Sequence, residues 1–116
     1  MIDRRGLLLA SLAALLPATA SAAWRLRQPT PQTFDYGPAK LDIYSRDNAG
    51  GLPVVFFIHG GAWRIGNRDN VNAKPGFLLD NGFLLVSIDY RMLPEADVAT
   101  QAGDVEKAYA YVRANI

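Results

Sequence analysis

Two apolar runs constrain the fold more than anything else in the sequence. Pro53-Val54-Val55-Phe56-Phe57-Ile58 is apolar at every position, and Phe83-Leu84-Leu85-Val86-Ser87-Ile88 is apolar except for Ser87. A strand with one wet face alternates polar and apolar residues, whereas a strand covered on both faces does not, so two such runs call for a parallel sheet flanked by helices. Between them, Asn70 to Asn81 has the length of a crossover helix, with Pro75-Gly76 near its middle and Gly82 near its end as expected breaks. Strand, helix and strand make a βαβ unit, and the fold class expected is α/β.

Upstream, Thr33-Phe34-Asp35-Tyr36 and Lys40-Leu41-Asp42-Ile43-Tyr44-Ser45 alternate with period two around Gly37-Pro38. That pattern predicts a β-hairpin with one solvated face, to which Asp35 and Asp42 are assigned. Asp47 to Gly51 reads as a second turn, and residues 23–32, with Pro29 and Pro31, read as an extended lead-in. Past Pro94, the residues Val98, Ala102, Val105, Tyr109, Val112 and Ile116 recur at spacings that give a helix one apolar face. Asp97 and Asp104 suit the early part of this helix and Lys107 and Arg113 its later part. Tyr109 and Tyr111 fall on different sides of it, so they form no stacking platform.

The first 22 residues have the layout of an export signal. A short basic stretch with Arg4 and Arg5 precedes the apolar run Gly6 to Leu16, and Ala18-Thr19-Ala20-Ser21-Ala22 offers small residues for cleavage after Ala22. Leu7 to Leu16 is too short to cross a bilayer and Pro17 interrupts it, so no membrane span is expected after cleavage. Arg4-Arg5 before Gly6-Leu7-Leu8 also resembles a twin-arginine signal, and the expected location is periplasmic or extracellular. Removing residues 1–22 takes away one acid and two arginines and turns a formal net charge of +1 into neutrality. Neither nucleic acid nor an anionic membrane is then an expected partner. With no cysteine, the chain has no disulfide, thiol nucleophile or zinc-thiolate site.

Chemistry enters at His59-Gly60-Gly61-Ala62-Trp63, directly after the first apolar run. Paired glycines at a strand exit let main-chain N–H groups approach a developing oxyanion, and Gly60, Gly61 and Ala62 are the candidate catalytic donors. His59 reads as a structural histidine that fixes the loop. Trp63 is either the wall of an acyl or aryl pocket or a packing anchor. Asp89 and Arg91, after the second run, read as an ion-paired loop brace rather than an acid–base pair. Among the four serines, Ser11, Ser21, Ser45 and Ser87, none lies in a G-x-S-x-G turn. No phosphate-binding glycine loop and no metal-ligand cluster is present, so neither cofactor nor metal is expected.

Taken together, the hairpin, the strand ending in His59-Gly60-Gly61-Ala62-Trp63, the strand ending in Ile88-Asp89-Tyr90-Arg91 with Pro94-Glu95, and the helix Asp104 to Arg113 resemble the α/β-hydrolases. The likeness runs from Thr33 to Ile116. It is narrower toward the esterases and lipases that include feruloyl and acetyl-xylan esterase-like and hormone-sensitive-lipase-like proteins, with kynurenine formamidases nearby. The resemblance implies a serine esterase working through an acyl-enzyme, with its nucleophile on an elbow after the next strand, followed by an acidic residue and a histidine. None of those three stands in this sequence, since the family's pattern gives His59 to the oxyanion loop. Residues 33–116 are therefore expected to form a partial hydrolase domain carrying the oxyanion loop alone, inactive by itself. A small-molecule or carbohydrate ester is the substrate implied for a longer relative. The alternative is a non-catalytic exported binding or assembly piece, in which an exposed sheet edge would favour self-association.

Overall fold

The second apolar run is the centre of the molecule. In the computed structural model, which describes residues 28–47 and 50–116, its residues Leu84–Ile88 form a strand and all five are buried. The expected export signal and most of the lead-in lie outside the described residues. In chain order the elements are β1 (Gln32–Asp35), β2 (Lys40–Tyr44), β3 (Val54–Ile58), α1 (Lys74–Asp80), β4 (Leu84–Ile88) and α2 (Val98–Asn115). The sheet order is β1-β2-β4-β3. β1 and β2 form the expected antiparallel hairpin, with Thr33 opposite Asp42 and Phe34 opposite Leu41. β4 pairs antiparallel with β2 and parallel with β3, so the βαβ unit is present and its second strand is clamped between the first and the hairpin.

Alternation across the pleat sorts the sheet into two faces. Leu41, Val86 and Ile88 meet Tyr36, Tyr90, Ala108 and Val112 on the face covered by α2. Tyr44 and Leu85 meet Val71 and Leu79 on the face covered by α1. A fully buried aliphatic side chain such as Leu85 or Ile88 contributes roughly 1.5–3 kcal/mol relative to an exposed one. α2 reaches both outer strands, since Tyr111 lies against Phe34 of β1 and Tyr109 meets Phe56 of β3 edge-on at 5.9 Å. The two tyrosines thus fall on different sides, as their spacing implies.

Four expectations need correction. The crossover helix covers only Lys74–Asp80, and Pro75 stands in its first turn rather than breaking it, where a missing N–H costs nothing. Gly82 does end it: at φ +84° it closes a Schellman turn, with Gly82 N–H donating to Leu79 O and Phe83 N–H to Leu78 O. β3 is not covered on both faces. Among the described residues it pairs only with β4, and Val54 and Ile58 at its ends are exposed.

The apolar stripe expected on α2 is rotated. Its buried residues are Gln101, Asp104, Ala108 and Val112, while Val98, Ala102, Tyr109 and Ile116 are exposed. Polar anchors set this rotation. The Gln101 side-chain amide donates to the carbonyls of Trp63 and Ala96, and Asp104 receives Arg91 through two side-chain bonds of 2.9 and 2.6 Å and one from the Arg91 backbone N–H. Asp97 caps the helix by accepting from Thr100 N–H.

Asp42 is the fourth correction, for it lies buried beneath the sheet face rather than in solvent. It accepts from Thr33 Oγ1 at 2.6 Å and from Arg68 Nε at 3.0 Å. The same guanidinium reaches Asp89, whose other carboxylate oxygen takes the Arg68 backbone N–H, and Ser87 donates to the Arg68 carbonyl. Asp89 and Arg91 are therefore braces, but to Arg68 and Asp104 respectively and not to each other.

Arg68→Gln leaves the Asp42 carboxylate buried with only Thr33 beside it, and should cost about 3 kcal/mol in urea unfolding. Adding Asp42→Asn should restore part of the loss. The Arg91 guanidinium holds the Asp104 carboxyl below the usual carboxylate range. Between that depressed value and the unfolded value near pH ~3.9, the unfolded chain binds more protons, so stability rises with pH there. The contribution of Asp104 is complete above the unfolded value and disappears as pH falls through the folded one. A urea-midpoint series across acid pH should show Asp104→Asn less sensitive to acid than the parent.

Candidate active-site loop

The chain leaves β3 at Ile58 and turns through a left-handed stretch. Gly61 has φ +139°, Ala62 +53°, Trp63 +62° and Gly66 +103°. For Ala62 and Trp63 this conformation costs of the order of 1–3 kcal/mol each, so the surroundings must over-determine it. They do so on several sides. Arg64 and Ile65 N–H both donate to Gly61 O at 3.1 Å, and Leu93 N–H donates to Trp63 O at 2.8 Å, with Gln101 reaching that carbonyl from α2. A Cβ built on Gly61 would lie 1.8 Å from Ile65 O, so the tight turn admits glycine alone.

His59 is the buried pivot of the loop, 2% exposed. Its ring stacks on Tyr90 with centroids 4.6 Å apart and planes 13° from parallel. Nδ1 lies 2.9 Å from Gly60 O, and because a carbonyl only accepts, Nδ1 carries the proton. Nε2 has no partner among the described residues. The Tyr90 hydroxyl donates to the His59 carbonyl at 2.7 Å. Burial raises the Tyr90 phenol above its ordinary value, which keeps it a donor at neutral pH.

The three sequence-identified donors come together in one turn, with Gly60 and Ala62 exposed and Gly61 half-buried. Among the described residues, no carbonyl or side chain accepts from the N–H of Gly60, Gly61 or Ala62. Trp63, 54% exposed, is no packing anchor, and Ile65 beside it in sequence is 71% exposed. Beside the loop, at the carboxyl ends of β3 and β4, an open cleft of about 370 Å³ is lined by Gly66, Asn67, Asp89, Tyr90 and Arg91. In open α/β sheets ligands bind at this end of the strands.

Chemically, the arrangement offers a short row of free main-chain donors on a stiff turn, with no titratable side chain needed to hold an anion. Sequence reasoning missed the residues that hold the turn. Arg68, Tyr90 and Gln101 carry no local pattern of their own, because each acts on a carbonyl or carboxylate remote in sequence. Gly66 had a readable signal, since a glycine soon after a Gly-Gly turn suggests a second close approach of backbone.

Comparison with known proteins agrees with this geometry. Residues 41–116 match the family described as BD-FAE. The chain is 39% identical over 87 residues to the Mycobacterium tuberculosis protein named Probable carboxylic ester hydrolase LipM, covering 71% of this chain and 20% of that protein. It is 37% identical over 100 residues to Esterase LipQ of the same organism, covering 78% of this chain and 24% of that one. It spans about a fifth to a quarter of the length of these relatives. Among solved structures, Esterase B from Lactobacillus Rhamnosis superposes with a TM-score of 0.65 at 24% identity, over 97% of this chain and 40% of the other, a likeness of fold. With its sheet, its strand-exit loop and more than half of its sequence matched, the chain belongs to the BD-FAE family and has the fold of the α/β-hydrolases.

Proposed function

We propose that this chain supplies the oxyanion-stabilising loop of a serine esterase working through an acyl-enzyme. The N–H groups of Gly60, Gly61 and Ala62 receive the carbonyl oxygen of a carboxylic ester as it becomes negatively charged. The observation that carries the reading is the set of unpaired main-chain donors on a turn held by Gly61, His59 and Tyr90. Donors fixed before the reaction need no reorganisation when charge develops, which is why such loops contribute several kcal/mol to catalysis. The nucleophile, its base and the acid that orients the base come, on this reading, from a segment not contained in these 116 residues. The cleft beside Gly66 and Asp89 accommodates part of the ester, and the pattern of residues 1–22 supports export of the protein.

The test splits the reading into two parts. The chain alone, from residue 23, should release no burst of p-nitrophenol from p-nitrophenyl acetate; a stoichiometric burst would mean that a nucleophile lies within it. Residues 41–116 exchanged for the matching segment of Esterase LipQ should restore ester hydrolysis. Within that chimera Gly61→Ala keeps its N–H but its Cβ would collide with Ile65 O and displace the donors, and should lower kcat by roughly 10²–10³, the cost typical of losing one oxyanion donor. Circular dichroism of the same sample separates this loss from unfolding. A folded Gly61→Ala chimera with undiminished kcat would remove the loop from catalysis.

A further inference from the structure

Two consecutive peptide groups in the loop are pinned through their carbonyls. The His59 carbonyl accepts from the Tyr90 hydroxyl at 2.7 Å, and the Gly60 carbonyl accepts from His59 Nδ1 at 2.9 Å. In a trans peptide the C=O and the following N–H point in opposite directions. Holding the His59 carbonyl on Tyr90 therefore turns the Gly60 N–H away from that hydroxyl. Holding the Gly60 carbonyl on the imidazole does the same for the Gly61 N–H. Both anchors are buried, with His59 2% and Tyr90 9% exposed, so the two N–H groups are directed away from the interior.

Gly66 closes the arrangement from the other side. A Cβ there would lie 2.6 Å from Gly60 O and 2.6 Å from His59 Nδ1, the two atoms of the second anchor. At φ +103° the position also disfavours any residue but glycine. The Gly66 backbone thus leaves just enough room for the imidazole–carbonyl bond. Any larger residue at 66 pushes the two apart.

We propose that Tyr90 and Gly66 are positioning residues for two of the oxyanion donors, Tyr90 by anchoring the His59 carbonyl and Gly66 by making room for the His59–Gly60 anchor. The proposal rests on the reading of Gly60 to Ala62 as donors. Neither residue touches a reacting atom. Tyr90 is separable from simple packing because Tyr90→Phe keeps the stacked ring and removes only the hydroxyl.

Nitrogen-15 NMR of the full 116-residue chain reads the geometry without any activity. His59 should show a proton on Nδ1, and Tyr90→Phe should shift the Gly60 and Gly61 amide resonances while Gly103→Ala, on α2 with open space around its Cβ, leaves them in place. Unmoved amides, or an imidazole with no Nδ1 proton, overturn the proposal, as does a chain with collapsed amide dispersion, because the segment would not then set the loop itself. In the LipQ chimera, Tyr90→Phe should lower kcat roughly ten- to a hundredfold with KM changed by less than about twofold, and Gly66→Ala should lower it further. Loss of kcat in Gly61→Ala but not in Tyr90→Phe overturns the positioning role and leaves the oxyanion reading standing. Indifference of kcat to both overturns the oxyanion reading beneath it.

Discussion

Arg68 is the interaction on which the arrangement depends. Its guanidinium sits between Asp42 of β2 and Asp89 at the end of β4, while its own backbone is held at both ends, N–H on Asp89 and carbonyl by Ser87. One residue thereby fixes where the chain that left β3 returns to the sheet. The path from Ile58 to Arg68 is short, so its return point dictates how tightly the intervening loop must turn. The positive φ angles of Gly61, Ala62, Trp63 and Gly66 accord with that constraint. A buried ion pair is weak support for stability because desolvation offsets attraction, but it is stringent about geometry. In this molecule geometry is what a row of main-chain donors requires.

The second set of constraints comes from α2, which acts on the loop as well as the sheet. Gln101 and Asp104 face the loops that follow β3 and β4, not the apolar interior, and hold Trp63, Ala96 and Arg91 in place. Nearer the carboxyl end, Ala108 and Val112 pack on Leu41, Val86 and Ile88. The helix is therefore polar where it meets the carboxyl ends of the strands and apolar where it covers them. Its amphipathic pattern is divided along its length as well as around its circumference.

That division explains what could be read from the residues and what could not. The hairpin, the two sheet strands and the presence of a crossover helix between them were legible, because alternation and unbroken apolar runs mark strands, although the run of β3 overstated its burial. The turn at Gly82 was legible for the same kind of reason, a backbone conformation that only glycine adopts easily. The role of Asp42 was not. Alternation assigns a charged residue on a hairpin to the wet face, and nothing in the neighbouring sequence announces that Arg68, 26 positions away, will cover it. The rotation of α2 was hidden likewise, since hydrophobic spacing gives no weight to Gln101 or Asp104. At the loop, the Gly60-Gly61 turn was legible as a motif, while the hydrogen bonds that hold it were not, because hydrogen bonds between remote residues leave no period in a sequence.

The left-handed backbone of Ala62 shows where the molecule has given up stability. A glycine at that position would adopt the same φ without steric penalty, and by that measure the folded state would gain. It would also widen the range of conformations open to the turn, which shares its peptide groups with Gly61 and Trp63. Alanine keeps the torsion narrow at the expense of strain. The loop resembles a loaded spring clip in this respect: its definition is drawn from the rigidity of the sheet and of α2. Any change that softens those supports will blur the loop well before it unfolds the domain.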